Sequence, residues 1–105
     1  MSTDRQKTFG SKDLEKRMGK LTVGEFLHAW RVSEDIRLAD FGKLVGMSLA
    51  NLCDIEKGRK GVSPEKAEQI AKAIGVPQEL LICLSIEESL RAAGLNYRVQ
   101  IKPAA

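Results

Sequence analysis

The central part of the chain places apolar residues at the spacing of amphipathic helices. Over residues 36–58 they recur in two groups, one on each side of Gly46: Ile36, Phe41, Leu44 and Val45, then Met47, Leu52 and Ile55. This spacing predicts two short helices, each with one apolar face turned to a shared core. Gly46 can adopt positive φ without steric cost, and Ser48 can cap the second helix. We therefore predict two helices joined by a tight turn.

Start signals predict three further helices around this pair. The first begins at Thr22 and Glu25, which fit a capping box. The second begins at Ser63, which is followed by a proline at the first helical position, and the third begins at Pro77. Apolar residues recur along each of them at helical spacing. The predicted fold is an all-α domain of five helices over residues 21–94.

Several residues of the central helices give the chain a resemblance to a known family. They are Phe41, Gly46, Ser48, Leu52 and the run Ile55, Glu56, Lys57 and Gly58. With these residues the chain resembles the Xre family, the lambda-repressor/Cro-type helix-turn-helix proteins, over residues 23–81. The resemblance implies a compact five-helix domain whose helix over residues 48–57 lies in the major groove of double-stranded DNA.

The outward positions of that helix would then read bases. They are Leu49, Ala50, Asn51 and Asp54. The Asn51 amide can bond adenine N6 and N7 together, and the Asp54 carboxylate can accept from cytosine N4. Leu49 and Ala50 can offer apolar contact, for instance to a thymine methyl group. The family often has glutamine at the first helix-turn-helix position and at the first reading position, where this chain has Leu38 and Leu49.

Positive charge gathers on the segments that would meet DNA. The net charge is +3, and residues 1–20 hold six basic against three acidic side chains, while residues 36–61 hold five against three. The candidates for phosphate contacts are Arg37, Lys43, Ser48, Lys57, Arg59 and Lys60. We expect residues 1–20 to form a basic arm with room for a short helix, in which Arg5 and Lys7 could follow the DNA backbone.

The resemblance also implies one structural ion pair. In the resembled family an arginine on the first core helix pairs with a glutamate near the end of the reading helix. Arg31 and Glu56 stand at these places. We expect this pair to orient the reading helix more than to stabilise the fold, since a buried ion pair often contributes little net stability.

The spacing of apolar residues changes near the end of the chain. Residues 95–101 alternate apolar and polar side chains, which predicts a half-buried β-strand with Leu95, Tyr97, Val99 and Ile101 on one face. An unpaired strand edge recruits another strand. Two copies could pair these strands in a homodimer, whose two-fold symmetry would suit a palindromic operator. The strand could instead pair with residues 7–9 of its own chain, or the segment could be a disordered tail.

Other classes of protein find little support in the sequence. Cys53 and Cys83 lack the spacing of a zinc site or a CxxC motif, and no nucleophile stands with a base. We therefore expect no enzyme activity, no cofactor and no metal. No apolar run reaches the length of a membrane span, and residues 1–10 lack the apolar core of a signal peptide, so the cytoplasm is the expected compartment.

The sequence thus favours a DNA-binding transcriptional regulator, acting as a dimeric repressor at a palindromic operator. A small chain of this type resembles an antitoxin that represses its own operon, or a phage-type or restriction-modification controller. The alternative is a protein-binding module. It would use the surface of Leu38 and Leu49, or the last helix and strand, to hold a protein partner such as a toxin.

Overall fold

The computed structural model describes residues 21–104, which form five α-helices. These are α1 (Val23–Ser33), α2 (Leu38–Val45), α3 (Leu49–Glu56), α4 (Pro64–Ile74) and α5 (Gln78–Ala92). The prediction of an all-α fold with five helices is confirmed for this part of the chain. None of its helices is both long and apolar enough to cross a membrane.

The predicted start of α1 and the turn between α2 and α3 are confirmed. Thr22 Oγ1 accepts the N–H of Glu25 at 3.0 Å, and Glu25 Oε1 accepts the N–H of Thr22 at 3.0 Å, which completes the capping box. Gly46 ends α2 in the left-handed conformation, with φ 72° and ψ 36°. Ser48 Oγ then accepts the N–H of Asn51 at 3.1 Å and caps α3. Local hydrogen bonds therefore define both helix starts.

The core draws on all five helices. Its buried apolar residues are Leu21, Val23, Phe26, Leu27, Phe41, Leu52, Ile55, Ala67, Ile70, Ala71, Leu81 and Leu84. The Trp30 and Phe41 rings lie with their centroids 5.5 Å apart, at the contact between α1 and α2. α3 packs against α1 and α2, and its buried residues are Leu52 and Ile55. The opposite side of α3 is left for contacts outside the domain.

Two leucines of α2 do not lie where the pattern placed them. Leu44, predicted to belong to the buried stripe, is exposed, and Leu38, predicted as an outward position, is half-buried against the core. The buried side of α2 is centred on Phe41, Gly42 and Val45. Leu38 falls within this arc of the helix and Leu44 falls outside it, because each residue advances about 100° around the axis.

The start of α1 lies directly on the end of α3. A Cβ atom added to Gly24 would lie 1.9 Å from the backbone oxygen of Ile55, which is far shorter than any non-bonded contact of a carbon atom. Glycine therefore lets the two helices approach at this point. The contact fixes where the last turn of α3 sits on the domain.

The predicted strand over residues 95–101 is wrong. Residues 95–104 have no regular secondary structure, and residues 98–102 line a groove together with α5. The N–H of Val99 donates to Glu87 Oε2 of α5 at 2.7 Å, so a buried carboxylate satisfies a group that a strand would offer to a neighbouring strand. Val99 and Ile101 are half-buried, while Leu95 and Tyr97 are exposed.

Pairing of this segment with a second copy finds no support in the described residues, since residues 95–104 form no strand and the N–H of Val99 is bonded to Glu87. Pairing with residues 7–9 lies outside the described residues. The same is true of the basic arm over residues 1–20, with Arg5 and Lys7, and of the short helix proposed there.

Candidate nucleic-acid interface

The side of α3 that faces away from the core carries the four candidate base readers. Leu49 is 53% exposed, Ala50 is exposed, and Asn51 and Asp54 are half-buried. We call these four residues the reading face. The structure brings them onto one helix of eight residues whose buried side is occupied by Leu52 and Ile55. Two of them can form hydrogen bonds through their side chains and two can make only apolar contacts.

An ion pair fixes the end of α3. Arg31 Nε lies 2.8 Å from Glu56 Oε2, and Arg31 Nη2 lies 3.1 Å from Glu56 Oε1, which gives a bidentate pair. The side chain of Glu56 is 6% exposed and that of Arg31 is 17% exposed. Arg31 Nη1 also donates to the backbone oxygen of Ile36 at 2.9 Å. One guanidinium therefore joins α1, the loop before α2 and the last turn of α3.

His28 belongs to the same cluster. Its Nδ1 atom lies 2.9 Å from Glu56 Oε1, although its own side chain is mostly exposed. No pattern in the sequence connected His28 with Glu56. Their proximity follows from the packing of α1 on α3, since His28 lies one turn before Arg31 and helical residues three apart share a face.

The chain reverses sharply after α3. Gly58 adopts φ 80°, its N–H donates to the Ile55 oxygen at 3.1 Å, and the N–H of Arg59 donates to the Asp54 oxygen at 2.8 Å. These two bonds form a Schellman motif, which needs a residue with positive φ just after the helix. The motif turns the chain so that Arg59 and Lys60 lie beside the helix they follow.

Side chains of this loop donate hydrogen bonds to both polar residues of the reading face. Lys60 Nζ donates to Asn51 Oδ1 at 2.7 Å, and Arg59 Nε donates to Asp54 Oδ1 at 3.0 Å. A lone Asp54 carboxylate would repel DNA phosphates, and Arg59 offsets that charge. The Arg59 guanidinium bonds Asp54 through Nε, and its two terminal nitrogens carry four more N–H donors.

The candidates for phosphate contacts lie at the two ends of α3 and at the ends of α2. Lys57, Arg59 and Lys60 are exposed together at the C-terminal end of α3. At its N-terminal end Ser48 Oγ accepts from the Asn51 N–H, which leaves the hydroxyl hydrogen to donate elsewhere. Two more candidates lie at the ends of α2: Lys43 is exposed in its last turn, and Arg37, just before it, pairs with Asp40 at 3.1 Å.

A family model described as a helix-turn-helix domain matches residues 22–81, from the N-cap of α1 into α5. The chain belongs to this helix-turn-helix family. Within it, α2 and α3 are the two helices that give the motif its name, and α3 is the second of them. No curated protein and no solved structure gave a match to the chain.

The helix-turn-helix unit differs from the sequence interpretation in one chemical respect. The sequence interpretation assigned Asn51 and Asp54 to base contacts. It assigned Arg59 and Lys60 to phosphate contacts. The structure joins them in two pairs. The signal that could have revealed this is Gly58, because a glycine directly after a helix favours the Schellman turn that brings the next residues back along the helix.

Proposed function

We propose that this helix-turn-helix protein binds double-stranded DNA in a sequence-specific manner and regulates transcription, with α3 in the major groove. The single observation that carries the proposal is the reading face of α3, exposed between a capped N-terminal end and the three basic residues Lys57, Arg59 and Lys60. An α-helix fits the width of the major groove, and basic side chains beside it can contact the flanking phosphates.

The two ends of α3 suit phosphate binding for different reasons. The amides of the first turn of a helix have no carbonyl partner within the helix, so those near Ser48 can donate to a phosphate oxygen. At the C-terminal end of α3, the positively charged side chains of Lys57, Arg59 and Lys60 can attract a phosphate. Lys43 and Arg37 would add contacts from α2.

We extend the proposal to an Xre-type repressor that binds a palindromic operator as a homodimer. A single helix of eight residues covers only one half-site, and a second copy related by two-fold symmetry supplies the other half. Leu95 and Tyr97 are exposed at 45% and 65%, which offers apolar surface for self-association without a β-ladder. The antitoxin and controller roles remain narrower versions of this proposal.

A protein-binding module is the second candidate, and two exposed leucines favour it. Leu44 and Leu49 are 48% and 53% exposed on the two sides of the turn at Gly46. They could contact an apolar surface of a partner such as a toxin. Leu38, which was expected on this surface, packs against the core instead, so the apolar area is smaller than the sequence indicated.

Selection of duplexes from a random DNA pool, followed by a salt titration on the selected sequence, tests the proposal. We expect a palindrome to be enriched and the affinity to fall steeply with salt, because bound phosphates release counterions. Asn51→Ala should lose preference at one base pair of each half-site, at a cost of about 1 to 3 kcal/mol. As the matched control, Lys43→Ala should weaken all sequences alike. Absence of enrichment and of binding at moderate salt would favour the protein-binding module.

A further inference from the structure

The bond between Lys60 and Asn51 bears on which base the reading face selects. Lys60 Nζ lies 2.7 Å from Asn51 Oδ1. An ammonium group has three donors and no acceptor, so only the oxygen of the amide can face it. The Asn51 side chain is therefore held with its oxygen on Lys60 and its NH₂ group turned elsewhere.

The backbone N–H groups of Asn51 and Lys60 are themselves hydrogen-bonded. The N–H of Asn51 donates to Ser48 Oγ at 3.1 Å, and the N–H of Lys60 lies 3.3 Å from the Asp54 oxygen within the turn after α3. Little backbone freedom remains to be lost when the side chains meet. The pair is thus a feature of the folded surface that DNA would encounter.

Adenine fits such a surface poorly. Its bidentate recognition needs Asn51 Oδ1 to accept from the N6 amino group while the Asn51 NH₂ group donates to N7. With Lys60 on the same oxygen, the N6 amino group would stand beside a positively charged donor. Guanine instead presents two acceptors, O6 and N7, which can receive one hydrogen from Lys60 Nζ and one from the Asn51 amide.

We infer that Lys60 determines specificity, making the base pair read by Asn51 a G·C pair where Asn51 alone would favour A·T. The inference rests on the proposed function, because it requires α3 in the major groove. It assigns to Lys60 a role in base selection in addition to any contact with phosphate.

The test compares Lys60→Met with Lys57→Met. Both variants remove one exposed lysine charge near the end of α3, and only the first removes the partner of Asn51. Duplexes carrying each of the four base pairs at every half-site position are titrated at fixed salt by fluorescence anisotropy. The position read by Asn51 is the one at which Asn51→Ala loses its preference.

We expect the wild-type protein to favour G·C at this position. Lys60→Met should shift the ratio of G·C to A·T affinity toward A·T by about ten-fold, the loss of one good base contact. Lys57→Met should weaken all duplexes alike and leave that ratio unchanged. In the DNA-free protein, the Asn51 side-chain NH₂ resonances should move in Lys60→Met and stay in place in Lys57→Met.

The outcomes separate the inference from the proposed function. A wild-type preference for A·T at this position, or an unchanged ratio in Lys60→Met while the protein still discriminates among duplexes, overturns the inference alone. Unmoved Asn51 resonances in Lys60→Met overturn it as well. If the wild-type protein binds no duplex, or binds all of them equally, the proposed function and the inference fail together.

Discussion

Two glutamates of this protein are almost equally buried and have very different partners. The side chains of Glu56 on α3 and Glu87 on α5 are 6% and 5% exposed. Glu56 receives two bonds from Arg31, a side chain that is itself largely covered. Glu87 receives a backbone N–H from Val99 and lies 3.7 Å from Arg98 Nε, whose side chain is 73% exposed.

The difference shows that burial alone does not tell what a carboxylate does. Glu56 joins two helices within the helix-turn-helix match over residues 22–81. Glu87 joins a helix to a segment that lies beyond that match. Removing the partner of Glu56 should therefore weaken the whole domain. Removing Glu87 should release only the C-terminal segment.

The largest effect is expected where α1 meets α3 beside Glu56. Gly24→Ala places a Cβ atom 1.9 Å from the Ile55 oxygen, so the helices must separate. We expect a loss of about 3 kcal/mol or more in the free energy of unfolding, measured by urea denaturation. Gly61→Ala is the matched control on the side of α5, because its Cβ would meet Glu88 Oε2 at an ordinary 3.7 Å. Equal losses in both variants would contradict the close approach.

The two arginine partners provide the direct comparison. Arg31→Ala leaves the buried Glu56 carboxylate with His28 alone, and we expect it to cost about 2 kcal/mol, reduced from the value for a fully buried pair by the partial exposure of Arg31. Arg98→Ala removes a long contact to an exposed side chain and should cost less than about 0.5 kcal/mol. Urea denaturation measures both. A similar cost for the two variants would remove the distinction drawn between the glutamates.

Glu87→Ala should act locally. It leaves the Val99 N–H without its acceptor, and we expect the free energy of local opening at Val99 to fall by about 1 kcal/mol, seen as faster amide exchange, with little change in global stability. Glu87→Gln keeps a carbonyl oxygen for Val99 and should retain most of the protection. Hydrogen exchange followed by NMR distinguishes the variants. If exchange at Val99 were unchanged in Glu87→Ala, the segment would be held by its apolar contacts alone.

The same contrast explains how far the sequence could predict the structure. The helix starts at Thr22 and Ser48 and the turn at Gly46 rest on hydrogen bonds or dihedral angles within a few residues. Local sequence is sufficient for such features. The segment over residues 95–101 needed a partner for its backbone, and that partner is a side chain twelve residues away from Val99. Alternation of apolar and polar residues indicates an extended chain and does not identify its partner.

The candidate site divides in a similar way. Helical spacing was enough to place Asn51 and Asp54 away from the buried Leu52 and Ile55. It was not enough to show that Lys60 and Arg59 bond them, because that depends on the course of the chain after Gly58. In the function we propose, the choice of bases depends on these hydrogen bonds, so specificity is the property that helical spacing predicts least well.

The smallest expected effect concerns Cys83, which lies with Glu87 in a groove of about 410 Å³ between α5 and the C-terminal segment. Burial raises the pKa of the Cys83 thiol, and the negative charge of Glu87 raises it further. Because the thiolate is the reactive form, alkylation should be slow at neutral pH and accelerate as the pH rises. The folded thiol ionises at higher pH than the unfolded one, so this group lowers stability only in alkaline solution.

Glu87→Gln tests the electrostatic part of this effect in a Cys53→Ser background, where Cys83 is the one remaining thiol. Loss of the Glu87 charge lowers the pKa of Cys83, and we expect alkylation by iodoacetamide at pH 8 to become about two-fold faster. Glutamine still accepts from Val99, so amide exchange at Val99 that stays close to the wild-type rate shows that the groove has not opened. A rate unchanged by Glu87→Gln would mean that burial and the charge of Glu79 raise the pKa of Cys83 without Glu87, and that the Glu87 carboxylate acts here only as a hydrogen-bond acceptor for the C-terminal segment.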